Sequence, residues 1–147
     1  MERKVSFGVD AFKVRSFSFS DNEETQNIRK DRINFNIGLK VNFVPEHNKF
    51  QVFLKIEALH GKQKPVSLGG IETETTFRLS GDLDTNEKGE VNLPDHLIIS
   101  LISIAYSTTR GALLVKAQST ILADAPLPIT DPTSMWNHFK ENYQKDK

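Results

Sequence analysis

The chain has 147 residues and balances 19 Lys and Arg against 19 Asp and Glu. That makes it one domain in size, with no overall field to draw it to nucleic acid or anionic lipid. It has no cysteine, which excludes disulfides, thiolate catalysis and cysteine-bound metal together and is compatible with the cytoplasm. A hydrophobic fraction of 37% predicts a folded domain over most of the length, with disorder confined to the ends.

The N-terminus, "MERKVSFGVD", has no continuous apolar stretch of the kind a signal peptide needs. The first half then reads as antiparallel β. Val5, Phe7 and Val9 alternate with polar or small residues; the phase changes near Asp10–Ala11, so that Phe12 and Val14 carry the apolar face, and it changes back at Phe17 and Phe19. Such phase changes predict a bulge or bend within one long strand. After the polar connection "SDNEETQNIRKD", the run "RINFNIGLKVNFV" puts Ile33, Phe35, Ile37, Leu39, Val41 and Phe43 on one face and Asn34, Asn36, Lys40 and Asn42 on the other. This is a strand with one wet face.

"PEHN" at 45–48 has turn chemistry. "KFQVFLKIEAL" follows as a third strand, with Phe50, Val52, Leu54, Ile56 and Ala58 inward and Phe53 and Leu59 as apolar exceptions outward. "HGKQKP" is a second turn, and "VSLGGIETETTFRLS" a fourth strand of mixed character, whose Gly69–Gly70 pair predicts a bulge or a close backbone approach. A loop then leads to Pro94, suited to the first turn of a helix.

From Pro94 to Gln118 the chain is helical in pattern and apolar over more than one face. Leu97, Leu101, Ala105, Thr108 and Ala112 form one stripe, and Ile98, Ile102, Ile104 and Leu113 widen it past the usual breadth of about 100°, more than a chain this small covers from every side. Asp95, His96 and Arg110 interrupt it, so no bilayer-spanning run is expected. An extended stretch, "ILADAPLPIT", follows. Asp131–Pro132 then makes an N-cap and first-turn pair for an amphipathic helix, "TSMWNHFKENYQ". Four strands, a long helix, a crossover and a short helix make a single α+β domain over residues 1–147.

No chemistry of an enzyme stands out. His47, His60, His96 and His138 fall in different elements without ligand spacing. "SLGGIE" lies within a strand and matches no phosphate-binding fingerprint. "DNEE" lacks the loop spacing of a calcium site. The hydroxyls of "STTRG" have no general base beside them in sequence and are expected to bond their own helix carbonyls. The scattered basic residues Arg29, Lys30, Arg32, Lys62 and Lys64 are not interleaved with aromatics, as a nucleic-acid platform requires. No catalytic residue, metal or cofactor is expected.

The aromatics are unevenly distributed. Nine of the ten phenylalanines precede the long helix, and Phe53 points to the face opposite the main apolar stripe. Trp136 and Phe139 sit three apart on the last helix, after a crossover carrying Ile121, Leu122, Leu127 and Ile129. These residues either close the core or border an apolar groove between sheet, crossover and last helix.

In the order and spacing of "FKVRSFSFS", "STTRG" and "APLPITDPTSMW", the chain resembles the SecB family of protein-export chaperones over nearly its full length. The resemblance implies a four-stranded antiparallel sheet, a long helix, a crossover loop and a second helix. It also implies a homotetramer, in which two subunits join sheets edge to edge and two such dimers pack through their long helices. Leu97, Ile98, Leu101, Ile102 and Ala105 would then stand at the oligomer interface. By the same resemblance the chain is an ATP-independent holdase, binding unfolded clients through Phe17, Phe19, Phe35, Phe53, Ile121, Leu122, Leu127, Ile129 and Trp136. Three features depart from export members. Ser16, Ser20 and Gly70 stand where acidic residues contact the SecA motor, the C-terminus "NYQKDK" lacks an acidic tail, and the segment after "TTRG" is longer. These fit a branch that holds the antitoxin of a toxin–antitoxin system better than one serving SecA-linked export. A small-molecule or lipid carrier is the alternative of another class, and would bury the long helix within one subunit.

Overall fold

The computed structural model describes residues 5–20, 33–61, 65–81, 84–85, 91–123, 125, 127 and 130–145. Four strands, β1 (Val5–Phe19), β2 (Ile33–Val44), β3 (Lys49–His60) and β4 (Val66–Gly81), form one antiparallel sheet in the order β1-β4-β3-β2. The central pair is β4 and β3, and the edges are β1 and β2. This order explains a burial contrast that composition does not. Phe50, Val52, Leu54, Ile56 and Ala58 on β3 are buried, whereas the equally apolar Ile33, Phe35, Ile37, Leu39, Val41 and Phe43 on β2 are only half-buried.

The phase changes in β1 are two register shifts against β4, one between Val9 and Ala11 and one between Val14 and Ser16. Each inserts one residue, so Phe7, Phe12, Val14, Phe17 and Phe19 stay on the same face as Leu79, Thr75, Thr73, Ile71 and Gly69 opposite them. Asp10, at the first shift, holds Lys49 and Arg78, both at 3.0 Å. A third irregularity separates Ala58 from Leu59 against β4, with Leu68 as the extra residue. Here the glycine pair is required by space. A Cβ on Gly69, whose φ is +134°, would lie 2.0 Å from the Ser18 carbonyl oxygen, and one on Gly70 would lie 2.3 Å from that of Ile56. Both the bulge and the close approach expected from "GG" are present.

The loop after β4 contributes a two-stranded ribbon, β5 (Asp84–Thr85) with β6 (Val91–Asn92). The long helix α1 (Asp95–Lys116) starts one residue after Pro94, whose carbonyl accepts from the amides of Leu97 and Ile98. It covers the sheet with Leu97, Ile98, Leu101, Ile102, Ala105, Tyr106, Thr109 and Leu113. By length and composition α1 is apolar enough to cross a membrane, contrary to the expectation from its interrupted sequence. Its apolar face is packed on β3 and β4, where Leu101, Ile102 and Ala105 have no exposure at all.

This placement puts the residues expected at the oligomer interface inside the single chain. Leu97, Ile98, Leu101, Ile102 and Ala105 are core residues of the single chain, between 0% and 7% exposed. The buried stripe is also rotated from the one traced in sequence, running through Tyr106 and Thr109 while Thr108 is exposed. The cause is polar. The Thr109 hydroxyl meets that of Thr73 at 2.7 Å under the helix, and a hydropathy pattern does not register hydroxyl pairing. The outward face of α1 presents Ser100, Ser107, Gly111 and Leu114.

After α1 the chain turns through Thr120 into a 3-10 turn at Ile121–Ala123 rather than running extended throughout. It then reaches the last helix, α2 (Pro132–Lys145). Asp131 caps this helix as expected, with Oδ1 accepting from the Thr133 amide at 3.0 Å and Oδ2 from the Ser134 hydroxyl at 3.2 Å.

Candidate functional site

The position of α2 is set by one tryptophan. Trp136 is 8% exposed; its indole N–H donates to Asp95 Oδ1 at 3.0 Å, at the first turn of α1. Lys140 reaches the other oxygen of the same carboxylate at 3.1 Å and lies 5.5 Å from the indole ring centre. The indole hydrogen bond, and then the Lys140 ammonium, hold the Asp95 carboxyl below the usual carboxylate range. Phe139 stacks on Trp136 with ring centres 5.5 Å apart. Upstream, the Thr130 hydroxyl donates to the Tyr106 phenol oxygen at 3.2 Å, fixing the last step of the crossover to α1. The result is a short helix standing beside edge strand β2.

Between them lies an open depression of about 560 Å³. Ile37 and Leu39 of β2 form one wall, with Gly38 between them. Met135 and Phe139 of α2 form the other, and Thr130 lies at the crossover end. His138 and Asn142, joined at 3.0 Å, supply the polar rim. A concave surface of apolar walls with few polar groups suits apolar side chains from a partner. Among the described residues no three His, Cys, Asp or Glu side chains converge as metal ligands.

A second depression, of about 550 Å³, lies on the opposite face of the sheet around Phe53, with Arg15, Lys40, Lys55 and Glu72 about it. Its charges are mostly paired across strands. Arg15 pairs with Glu74 and Lys55 with Glu72 at 3.6 Å, while Gln51 links Glu74 to Asn42 through contacts of 3.0 Å.

Of the nine residues expected to touch a client, the eight that are described are dispersed. Phe17, Phe19 and Phe35 are half-buried on the helix-facing side of the sheet, Phe17 and Phe19 on edge β1 and Phe35 on edge β2. Phe53, on the other face, shares no surface with them, because its neighbours Val52 and Leu54 take the inward side. Leu122, Leu127 and Trp136 are core residues, 2%, 8% and 8% exposed, and Ile121 is half-buried. Ile129 lies outside the described residues. A depression lies between the sheet and the last helix, with Thr130 at its crossover end, but Trp136 stands behind Phe139 and is not among its lining residues. Met135 was missed in sequence, where nothing distinguishes a methionine one residue before a tryptophan. Ile37 and Leu39 were legible as inward residues, though not as groove walls, which requires knowing that β2 is an edge.

No protein-family model matches the chain, and the comparison with curated proteins gives no match. Among solved structures, the chain is similar to the Rv1957 SecB-like chaperone of Mycobacterium tuberculosis, in complex with a ChAD peptide from the Rv1956 HigA1 antitoxin. The TM-score is 0.57 at 12% identity, covering 84% of this chain and 89% of that one. A protein of unknown function from Streptococcus agalactiae is aligned over 88% of this chain and 99% of its own at 12% identity, with a TM-score of 0.31. The four-stranded antiparallel sheet, long helix and short C-terminal helix of this chain are thus the SecB-like fold.

Proposed function

We propose that the protein is an ATP-independent holdase, which binds unfolded or aggregation-prone polypeptide in the depression between β2 and α2. The observation that carries the reading is the combination of apolar walls with an open side. Ile37, Leu39, Met135 and Phe139 face a space of about 560 Å³, and affinity for unfolded chain comes from many shallow contacts of this kind. The SecB-like fold supports it, as does the antitoxin peptide carried by the similar Mycobacterium tuberculosis chaperone. An antitoxin is accordingly the client class put forward, with the cytoplasm as location and self-association as part of the working form. Export through SecA is disfavoured. Ser16, one of three residues at expected acidic positions, donates to Glu72 at 3.3 Å, and Gly70 has no room for a side chain.

The test is to dilute a chemically denatured, rapidly aggregating protein into buffer with and without this chain, in the absence of ATP. Light scattering is expected to fall as the chain approaches and exceeds the client concentration. A folded Ile37→Ser/Phe139→Ser variant should protect less well. Unchanged scattering at a several-fold excess of the parent would reject the holdase. The volume of the depression also falls within the roughly 300–1,000 Å³ of small-ligand pockets, and with the burial of the apolar face of α1 inside one chain this favours a lipid or small-molecule carrier as second reading. A carrier would take up a fatty acid at one per chain and leave the aggregation of denatured protein unchanged.

A further inference from the structure

The face of the sheet turned away from α1 carries Phe53 among charged side chains, in two rows that cross the strands. In the first row Glu74 on β4 lies opposite Phe53 on β3, and Phe53 lies opposite Lys40 on β2. Arg15 on β1 completes it. Arg15 is the extra residue at the shift between Val14 and Ser16, and such a bulge re-aims a side chain, here onto Glu74. In the second row Ser16, Glu72, Lys55 and Gly38 stand opposite one another in turn. Gly38 brings no side chain to the β2 end of that row, which leaves the flank of Phe53 open to the depression of about 550 Å³.

The charges differ in what they have left to offer. Glu74 is 6% exposed. A carboxylate so buried persists through its partners, here Arg15 and the Gln51 amide, which donates at 3.0 Å. The same ion pair fixes Arg15, whose side chain is 58% exposed and whose guanidinium has more N–H groups than one carboxylate takes up. Glu72 is occupied by Lys55 at 3.6 Å and by the Ser16 hydroxyl at 3.3 Å. Lys40 is exposed and has no ion-pair partner among the described residues. Both acids are thus taken, while cations with free donors stand on either side of Phe53.

We propose that this face docks an acidic segment of a partner protein, laid across the strands in extended form. An apolar residue rests on Phe53, with one carboxylate at Arg15 and another at Lys40. The spacing fits. From β1 to β2 there are three steps between strands of about 4.8 Å each, or about 14 Å in all. In an extended segment the side chains two residues before and two after a given one share its face and span about the same length. Complementary charge then fixes the register, and the apolar contact supplies the desolvated centre. Single-stranded RNA fits less well, because one aromatic is one stacking platform and Glu72 and Glu74 lie where phosphates would pass. The cations also set this face apart from the acidic surface expected for a SecA contact. The inference does not rest on the holdase reading. The face lies across the sheet from the depression under α2, so this partner and a client can be held at the same time.

The experiment uses the full chain and a fluorescent peptide in which two glutamates flank a leucine, with one threonine between each glutamate and the leucine. Binding is read by anisotropy at low ionic strength, where exposed charges are least screened. A second peptide has glutamine for both glutamates, and a third has serine for the leucine. The acidic peptide should bind, and each of the other two should bind about fivefold or more weakly. Lys40→Glu, at an exposed position, should keep the far-ultraviolet circular dichroism of the parent. It should weaken the acidic peptide by a similar factor and leave the glutamine peptide unchanged. Ile37→Ser/Phe139→Ser should bind the acidic peptide as the parent does. No binding at about 1 mM, equal affinity for the acidic and glutamine peptides, or unchanged affinity in Lys40→Glu would overturn the proposal. A loss in Ile37→Ser/Phe139→Ser would place the peptide under α2 and overturn it as well. Oligouridylate that displaces the acidic peptide and binds more tightly would make the face a nucleic-acid platform and overturn the choice of partner.

Discussion

Three buried hydroxyls and two carboxylates show how far single side chains direct this fold. Thr73 and Thr109 meet at 2.7 Å between sheet and helix, both almost fully buried. Thr75 is 1% exposed, and its hydroxyl has no partner among the described residues. Thr109→Val should therefore destabilise by about 1–3 kcal/mol, because it strands the Thr73 hydroxyl. Thr75→Val removes a group that is already stranded and should be neutral or stabilising. Urea denaturation of the two variants checks the contrast, and equal losses would refute it. Asp95 belongs at the same scale. Its carboxyl is held below the ordinary value of 3.8 by Trp136 and Lys140, so its contribution is full above that value and is lost as pH falls through the lowered one. Asp10, lowered by Lys49 and Arg78, acts in the same direction. Thermal melts between about pH 2 and 5, followed by the fluorescence of the single tryptophan, should show a steeper loss in the parent than in Asp95→Asn. Coincident slopes would mean that the carboxylate does not hold α2.

Among the elements, the last helix depends most on its ends. α2 carries mainly polar residues outward and is tied down by Trp136 and by the Asp131 cap. Asp131→Ala should lower stability by about 0.5–2 kcal/mol. Because α2 is one wall of the depression, client protection should weaken beyond what the fall in global stability explains; hydrogen exchange confined to the first turn of α2 would register the fraying. No added exchange there would remove the cap from the argument. The strands illustrate the opposite case. Their alternation, both phase changes in β1 and the glycine pair in β4 were legible because each is a local, period-two property of the chain. The burial of Trp136 was not legible, since its partner Asp95 lies 41 residues away.

For the whole molecule the question is what covers the outward face of α1. Ser107 and Gly111 are exposed and small, with open space around the Gly111 Cα, while Leu114 and Val115 are 47% and 66% exposed. If α1 mediates self-association, this face mediates it, and two substitutions should separate assembly from folding. Leu114→Glu should lower the solution mass and leave the far-ultraviolet circular dichroism unchanged. Leu101→Glu buries an unpaired charge, at a cost of several kcal/mol, and should unfold the chain rather than dissociate it. Light scattering that finds the parent monomeric at micromolar concentration would reject assembly altogether. The sequence by itself determined the class of the fold, the four strands, both helices, the bulges and the cap, because hydropathy period, turn chemistry and capping act over a few residues. The tertiary structure alone decided that β2 is an edge, that Leu101 and Ile102 are core, that Trp136 anchors α2, and that Phe53 lies apart from the groove. Each of these depends on strand order or on a partner distant in the chain, and burial is a property of what packs on a residue, not of the residue.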